Sequence, residues 1–122
     1  MIFHSQNGDH PFVLELASTP EQQERGLMFR RSLEPNGGML FPYAPPQVVG
    51  FWMRNTLIPL DMIFVRQDGT IARIATAKPL DETTISSGEP VNMVIEIRGG
   101  RAAELGIKEG DSVAPPYPCC KP

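Results

Sequence analysis

The residues best equipped for recognition chemistry stand close together in the run Gly50-Phe51-Trp52-Met53-Arg54-Asn55-Thr56-Leu57-Ile58-Pro59-Leu60-Asp61. Trp52 is the sole tryptophan. An indole offers a flat face to a sugar ring or another planar ligand, and one N–H to donate. Arg54 carries a forked cation that suits a carboxylate, a phosphate or sugar hydroxyls. Asn55 supplies both a donor and an acceptor. A lone buried carboxylate is costly, so Asp61 must order an arginine or a loop amide, or hold a ligand hydroxyl. The plainer reading of the same residues is structural. Trp52 would be a core aromatic, Asn55 a turn residue bonded to its own backbone, and Asp61 the ion-pair partner of Arg54 or Arg30. Alternation sets Trp52 opposite Phe51 and Met53, so a core placement of those two turns the indole outward or into a groove.

Arg25 and Arg30 flank Gly26-Leu27-Met28-Phe29. They read either as solvated charges that complement a helix C-terminus or as an electropositive rim beside the Trp52 loop. Met28, Met39, Met53, Met62 and Met93 read as core fillers. Catalytic signatures are sparse. His4 and His10 have no paired nucleophile near them in the chain, and no Gly-x-Ser-x-Gly elbow occurs. Two histidines make a poor metal set, and Gly37-Gly38 lacks the Lys-Ser/Thr of a phosphate loop. Asp81-Glu82 and Glu109 with Asp111 read as turn residues. No cofactor or metal site is therefore expected.

Composition narrows the classes further. A chain of 122 residues with 41% hydrophobic content supports one core. Thirteen prolines favour short elements joined by defined turns. Net charge is −3, and the basic residues are scattered apart from Arg30-Arg31. A nucleic-acid partner needs a basic stripe, so none is expected. No apolar run reaches the length of a membrane span, and no signal peptide is visible. Cys119 and Cys120 are adjacent and cannot staple distant parts of a fold. They sit in a Pro/Cys-rich tail expected over 115–122, after a single domain expected over 1–114. Their redox state is left open.

Hydrophobic periodicity places the motifs. Phe12-Val13-Leu14-Glu15-Leu16-Ala17 alternates as a half-buried strand. Thr19-Pro20-Glu21-Gln22 opens a two-turn helix with a capping box, which Gly26 ends. Strands are expected at Met39–Phe41 and Val48–Met53, with a stiff proline loop between them. Met62-Ile63-Phe64-Val65 reads as a strand buried on both faces. Gln67-Asp68-Gly69 is a hairpin turn leading into Thr70–Ala75. Val91, Met93, Ile95 and Ile97 alternate with Asn92, Val94 and Glu96, the clearest strand of the chain. A short helix over Arg101–Gly106 and a last strand at Asp111–Ala114 follow. About seven closely spaced strands and two short helices define an all-β fold, a β-sandwich or barrel.

Several phrases line up in order with one family: Glu15-Leu16-Ala17, Arg25-Gly26-Leu27-Met28-Phe29-Arg30, Gly38-Met39-Leu40-Phe41, Phe51-Trp52-Met53-Arg54-Asn55-Thr56, Pro59-Leu60-Asp61, Asp68-Gly69, Gly99-Gly100-Arg101-Ala102, Leu105-Gly106-Ile107 and Gly110-Asp111. From Phe12 to Val113 the chain closely resembles the domain of unknown function 192 family, an uncharacterised ancient region of bacteria and archaea. The resemblance implies a jelly-roll-like β-sandwich and carries no activity with it. It also implies exported relatives with an N-terminal signal or anchor, which this chain lacks, so compartment stays open. The tail lies outside the resemblance.

Three functions fit these readings. The first is a binding module for a small polar molecule, for instance a saccharide, lying against Trp52 with Arg54, Asn55, Asp61 and Arg30 on its polar atoms. The second is a small hydrolase or lyase with Asp61 as base and Arg54 as anion stabiliser. The third is a structural or assembly partner using an apolar patch at Val48, Val49 and Phe51. Oligomeric state is not legible.

Overall fold

The computed structural model describes residues 1–114. The expected tail over 115–122, with Cys119 and Cys120, lies outside the described residues. In chain order the elements are β1 (Ile2–Ser5), β2 (Gly8–Pro11), β3 (Val13–Leu16), α1 (Pro20–Arg25), β4 (Gly37–Gln47), β5 (Gly50–Phe51), β6 (Leu60–Val65), β7 (Ile71–Ala77), β8 (Ile85–Ser86), β9 (Val91–Arg98), α2 (Arg101–Leu105) and β10 (Ser112–Ala114).

The central sheet has the order β3-β4-β9-β6-β7. Only β3 and β4 pair parallel within it. Every residue of β6 is buried, as the apolar run Met62-Ile63-Phe64-Val65 requires of that part of the strand. Two apolar layers cover the two faces. On the first face, Leu40, Ile63, Ile95 and Ile97 meet Phe3, Val113 and Ala102 from the three-stranded sheet β10-β1-β2 and from α2. On the second face, Met39, Phe41, Met62, Phe64 and Val94 meet Leu27, Phe51, Met53 and Ile85. That cover is built from the chain after α1 and from the small β5-β8 ribbon. The fold is all-β and sandwich-like, with two short helices.

Local chemistry accounts for the elements that were legible. The α1 capping box forms in full. The Gln22 amide donates to the Thr19 hydroxyl at 3.1 Å, and the Thr19 amide donates to the Gln22 side chain at 3.1 Å. Gly26 ends the helix at φ 49°, a positive-φ conformation that a residue with a side chain rarely adopts. Gly69, at φ 89°, turns β6 into β7.

Three expectations change. The N-terminal segment, where no element is expected, is the β1–β2 hairpin. Its turn is Gln6-Asn7, but the polar β2 gives no apolar alternation to see. The β4 strand runs through the prolines expected to form a loop. Its β3 partner stops opposite Leu40, so the later prolines lie on an edge where no donor is needed. The strand expected over Val48–Met53 shrinks to Gly50–Phe51, because Met53 already turns its amide to the Asp81 carbonyl at 2.8 Å.

Candidate functional site

Phe51 points into the second apolar layer and sets the geometry around it. Its ring meets Phe41 edge-on at 5.0 Å, Phe64 at 6.3 Å and Tyr43 at 6.5 Å. Met53 is buried as well. Alternation then turns Trp52 the other way, and the indole stays 44% exposed. It forms a wall shared by two hollows.

The first hollow is a cleft of about 270 Å³ between α1 and the second face of the central sheet. Gln23, Glu24 and Arg25 line one side; Phe41, Tyr43, Phe51 and Trp52 line the other; Glu96 also lines it. Glu96 stands on β9, opposite Met39 of β4 and Met62 of β6. It shares a face with Val94 and is 4% exposed. Among the described residues its carboxyl has no hydrogen-bond or ion-pair partner. Desolvation therefore acts unopposed and pushes its pKa up to about 8. Burial, aided by the nearby Glu96 charge, pushes the Tyr43 phenol up to about 12.

The second hollow, about 520 Å³, lies on the outer side of Trp52. Arg54 stacks its guanidinium 5.5 Å from the indole centre, a cation–π contact. Asn55 sits in the left-handed region at φ 55°, a conformation this residue tolerates. Its carbonyl accepts the Phe29 amide at 2.8 Å. Arg25 in turn lies 5.7 Å over the Phe29 ring. Trp52, Arg54 and Asn55 are thus brought together, with Arg25, Glu21 and Glu24 around them.

Asp61 and Arg30 do not join them. In β6 Asp61 alternates with Leu60 and Met62, so it faces the first apolar layer, across the sheet from Trp52. It is 1% exposed. One carboxylate oxygen accepts the Gly100 amide at 3.0 Å and the Thr76 hydroxyl at 2.7 Å; the other accepts the Ala102 amide at 3.0 Å. It holds the start of α2, which lacks a capping side chain of its own. This is the loop-amide role among the expected alternatives, and it removes Asp61 from any shared cluster. Arg30 forms a two-pronged pair with Glu15, one contact at 2.7 Å, on an exposed surface. That pair lines a different groove, with Val13 and Asn36. The rim beside Trp52 therefore comes from Arg25, not Arg30.

Sequence reasoning passed over Glu96 as the polar half of an alternating strand. The available signal was Val94, an apolar residue on the same face. A Ser–His pair also went unnoticed: the Ser5 hydroxyl lies 2.8 Å from His10 Nε2. The same hydroxyl is spread over the Gly8 and Leu105 carbonyls, and Asp9 is engaged with His4 at 2.6 Å rather than with His10. Of the apolar trio Val48, Val49 and Phe51, only Val48 is mostly exposed; the others pack on the second layer. No helix among the described residues is long and apolar enough to cross a membrane.

Fold and site together define a small all-β sandwich with an aromatic cleft on one face. The chain belongs to the DUF192 family, described as an uncharacterized ACR, whose model matches residues 2–115. Solved structures similar to it include two with unassigned or provisional function. One is a protein of unknown function from Novosphingobium aromaticivorans DSM 12444, 48% identical, with a TM-score of 0.88 over 91% of this chain and 80% of that one. The other is a Sinorhizobium meliloti 1021 protein provisionally described as a transcription regulator, 42% identical, with a TM-score of 0.87 over 91% of this chain and 88% of that one. No curated protein sequence matches the chain.

Proposed function

We propose that this protein is a binding module for a small polar molecule, held in the cleft between α1 and Trp52. The observation that carries the reading is Glu96. A carboxyl this buried and without a partner among the described residues destabilises the fold when ionised, yet it lines an open cleft among aromatic rings. Such convergence of an apolar wall with a perturbed polar group is the usual signature of a ligand site. The cleft volume suits a small molecule rather than a chain. Arg54 and Asn55 would act from the outer side of Trp52, either as a second contact zone or by fixing the indole plane.

The hydrolase reading that used Asp61 has no support in this geometry, because its oxygens are filled by structural donors on the far side of the sheet. The regulator description of the S. meliloti relative does not extend readily to this chain. Its two described helices span six and five residues, short for a helix reading a major groove, and its net charge is −3.

The test is calorimetry with a panel of small amines, polyols, monosaccharides and carboxylates, with Trp52 emission as a second readout. Saturable binding that weakens roughly five- to thirtyfold in Trp52→Ala is expected, since an aromatic contact contributes on the order of 1–2 kcal/mol. A panel in which nothing binds, with the protein folded, would sink the proposal.

A further inference from the structure

We infer that the ligand of this cleft is a small organic cation, an ammonium or guanidinium group seated on the Glu96 carboxylate among the rings of Tyr43, Phe51 and Trp52. This deepens the binding reading above and rests on it.

Three observations carry the choice. The first is charge. The cleft lining brings the carboxyls of Glu24 and Glu96 against the single guanidinium of Arg25, and Arg25 is already drawn over Phe29. The second is hydrogen-bond supply. The Gln23 amide donates to the Ala17 and Pro42 carbonyls at 3.0 and 3.1 Å. The Thr56 hydroxyl donates to the Arg54 carbonyl at 3.2 Å. Two of the side-chain donors a polyol would use are therefore already engaged. A cation needs only acceptors and ring faces. The third is Glu96 itself, 4% exposed and without a partner among the described residues. A cation supplies the counter-charge whose absence makes this burial costly.

Binding must then drive a proton off Glu96. The other charged or titratable groups lining the cleft are Tyr43 from β4 and Glu24 and Arg25 from α1. The β5 strand contributes none, and Asp61 of β6 lies on the opposite face. With the free carboxyl ionising at about 8, affinity for a cation of fixed charge should rise roughly 50-fold between pH 6 and pH 8.

The experiment compares n-propylammonium, guanidinium and tetramethylammonium with 1-propanol, glucose and acetate. Calorimetry is run at both pH values in buffers of different ionisation enthalpy. The expected result is saturable binding of at least one cation, with about one proton released per cation at pH 6. Binding of 1-propanol, glucose and acetate should be absent or far weaker. Glu96→Gln, which mimics the protonated carboxyl, should lose cation binding at least roughly tenfold while keeping the native circular dichroism. If glucose binds and the cations do not, the cation assignment is overturned and the binding module stands. If cations bind with no proton release and no pH dependence, Glu96 is not their seat and the inference is overturned. If no compound of the panel binds, the inference and the binding reading fall together.

Discussion

Raising the pH from 5 to 8 should weaken this protein through one side chain. Glu96 ionises at about 8 in the folded state, against an ordinary 4.5. Between those values the folded protein holds one more proton than the unfolded chain. The contribution of this group is therefore fully present below the ordinary value and is lost as pH climbs toward 8. The slope approaches ~1.4 kcal/mol per pH unit, which accumulates to ~4 kcal/mol at pH 8. That is a large share of the ~5–15 kcal/mol typical of a domain. Glu96→Gln removes the titration while keeping the shape of the neutral acid. Urea unfolding followed by circular dichroism, at half-unit steps from pH 5 to 8, gives the difference between variant and parent. The difference should start below ~1 kcal/mol at pH 5 and grow to ~4 kcal/mol at pH 8 in favour of the variant, with unchanged m-values. Glu15, Asp68, Asp81 and Glu89 are shifted the other way by their hydrogen bonds. They act on the acid side and cancel in the comparison. Two parallel stability curves would refute the reasoning.

Asp61→Asn replaces an acceptor of three bonds with an amide whose N–H₂ must face a donor. It should cost ~3 kcal/mol in urea unfolding while calorimetry of cleft ligands stays at parental affinity; equal stability would overturn its structural role. Gly38→Ala sets a Cβ 2.3 Å from the Glu96 carbonyl oxygen, where β4 crosses β9. A loss of ~3 kcal/mol or more is expected in thermal unfolding, and an unchanged melting temperature contradicts the close approach. Arg30→Ala breaks only an exposed pair with Glu15. It should cost under ~1 kcal/mol and leave cleft binding untouched; a binding defect would restore Arg30 to the site.

What the sequence made legible were features written in neighbouring residues. The Thr19–Gln22 capping box, the Gly26 stop and the Gly69 turn each lie within a few positions, so their chemistry is readable without a partner. Alternation made legible that Trp52 opposes Phe51 and Met53, but not which of the two sides turns inward. The errors arose where a distant partner decides. Asp61 is near Trp52 in the chain, but the intervening turn delivers it to a strand whose alternation sends it through the sheet. Glu96 looked like the wet side of a half-exposed strand. Its burial depends on β9 lying between β4 and β6, and that pairing is set by contacts far apart in sequence. The β4 prolines were misjudged for the same reason, since an edge is defined only by where its neighbour stops.

The state of the Glu96 carboxyl in the free protein decides whether the cleft is a ligand site. A ¹³C NMR titration of its side-chain carbon from pH 4 to pH 10 reads that state directly. A midpoint near 8, moving down when a bound cation is added, is the expected result. A midpoint near the ordinary 4.5 would mean the carboxylate is already solvated or paired, and the cleft would lose the feature that marks it as a site.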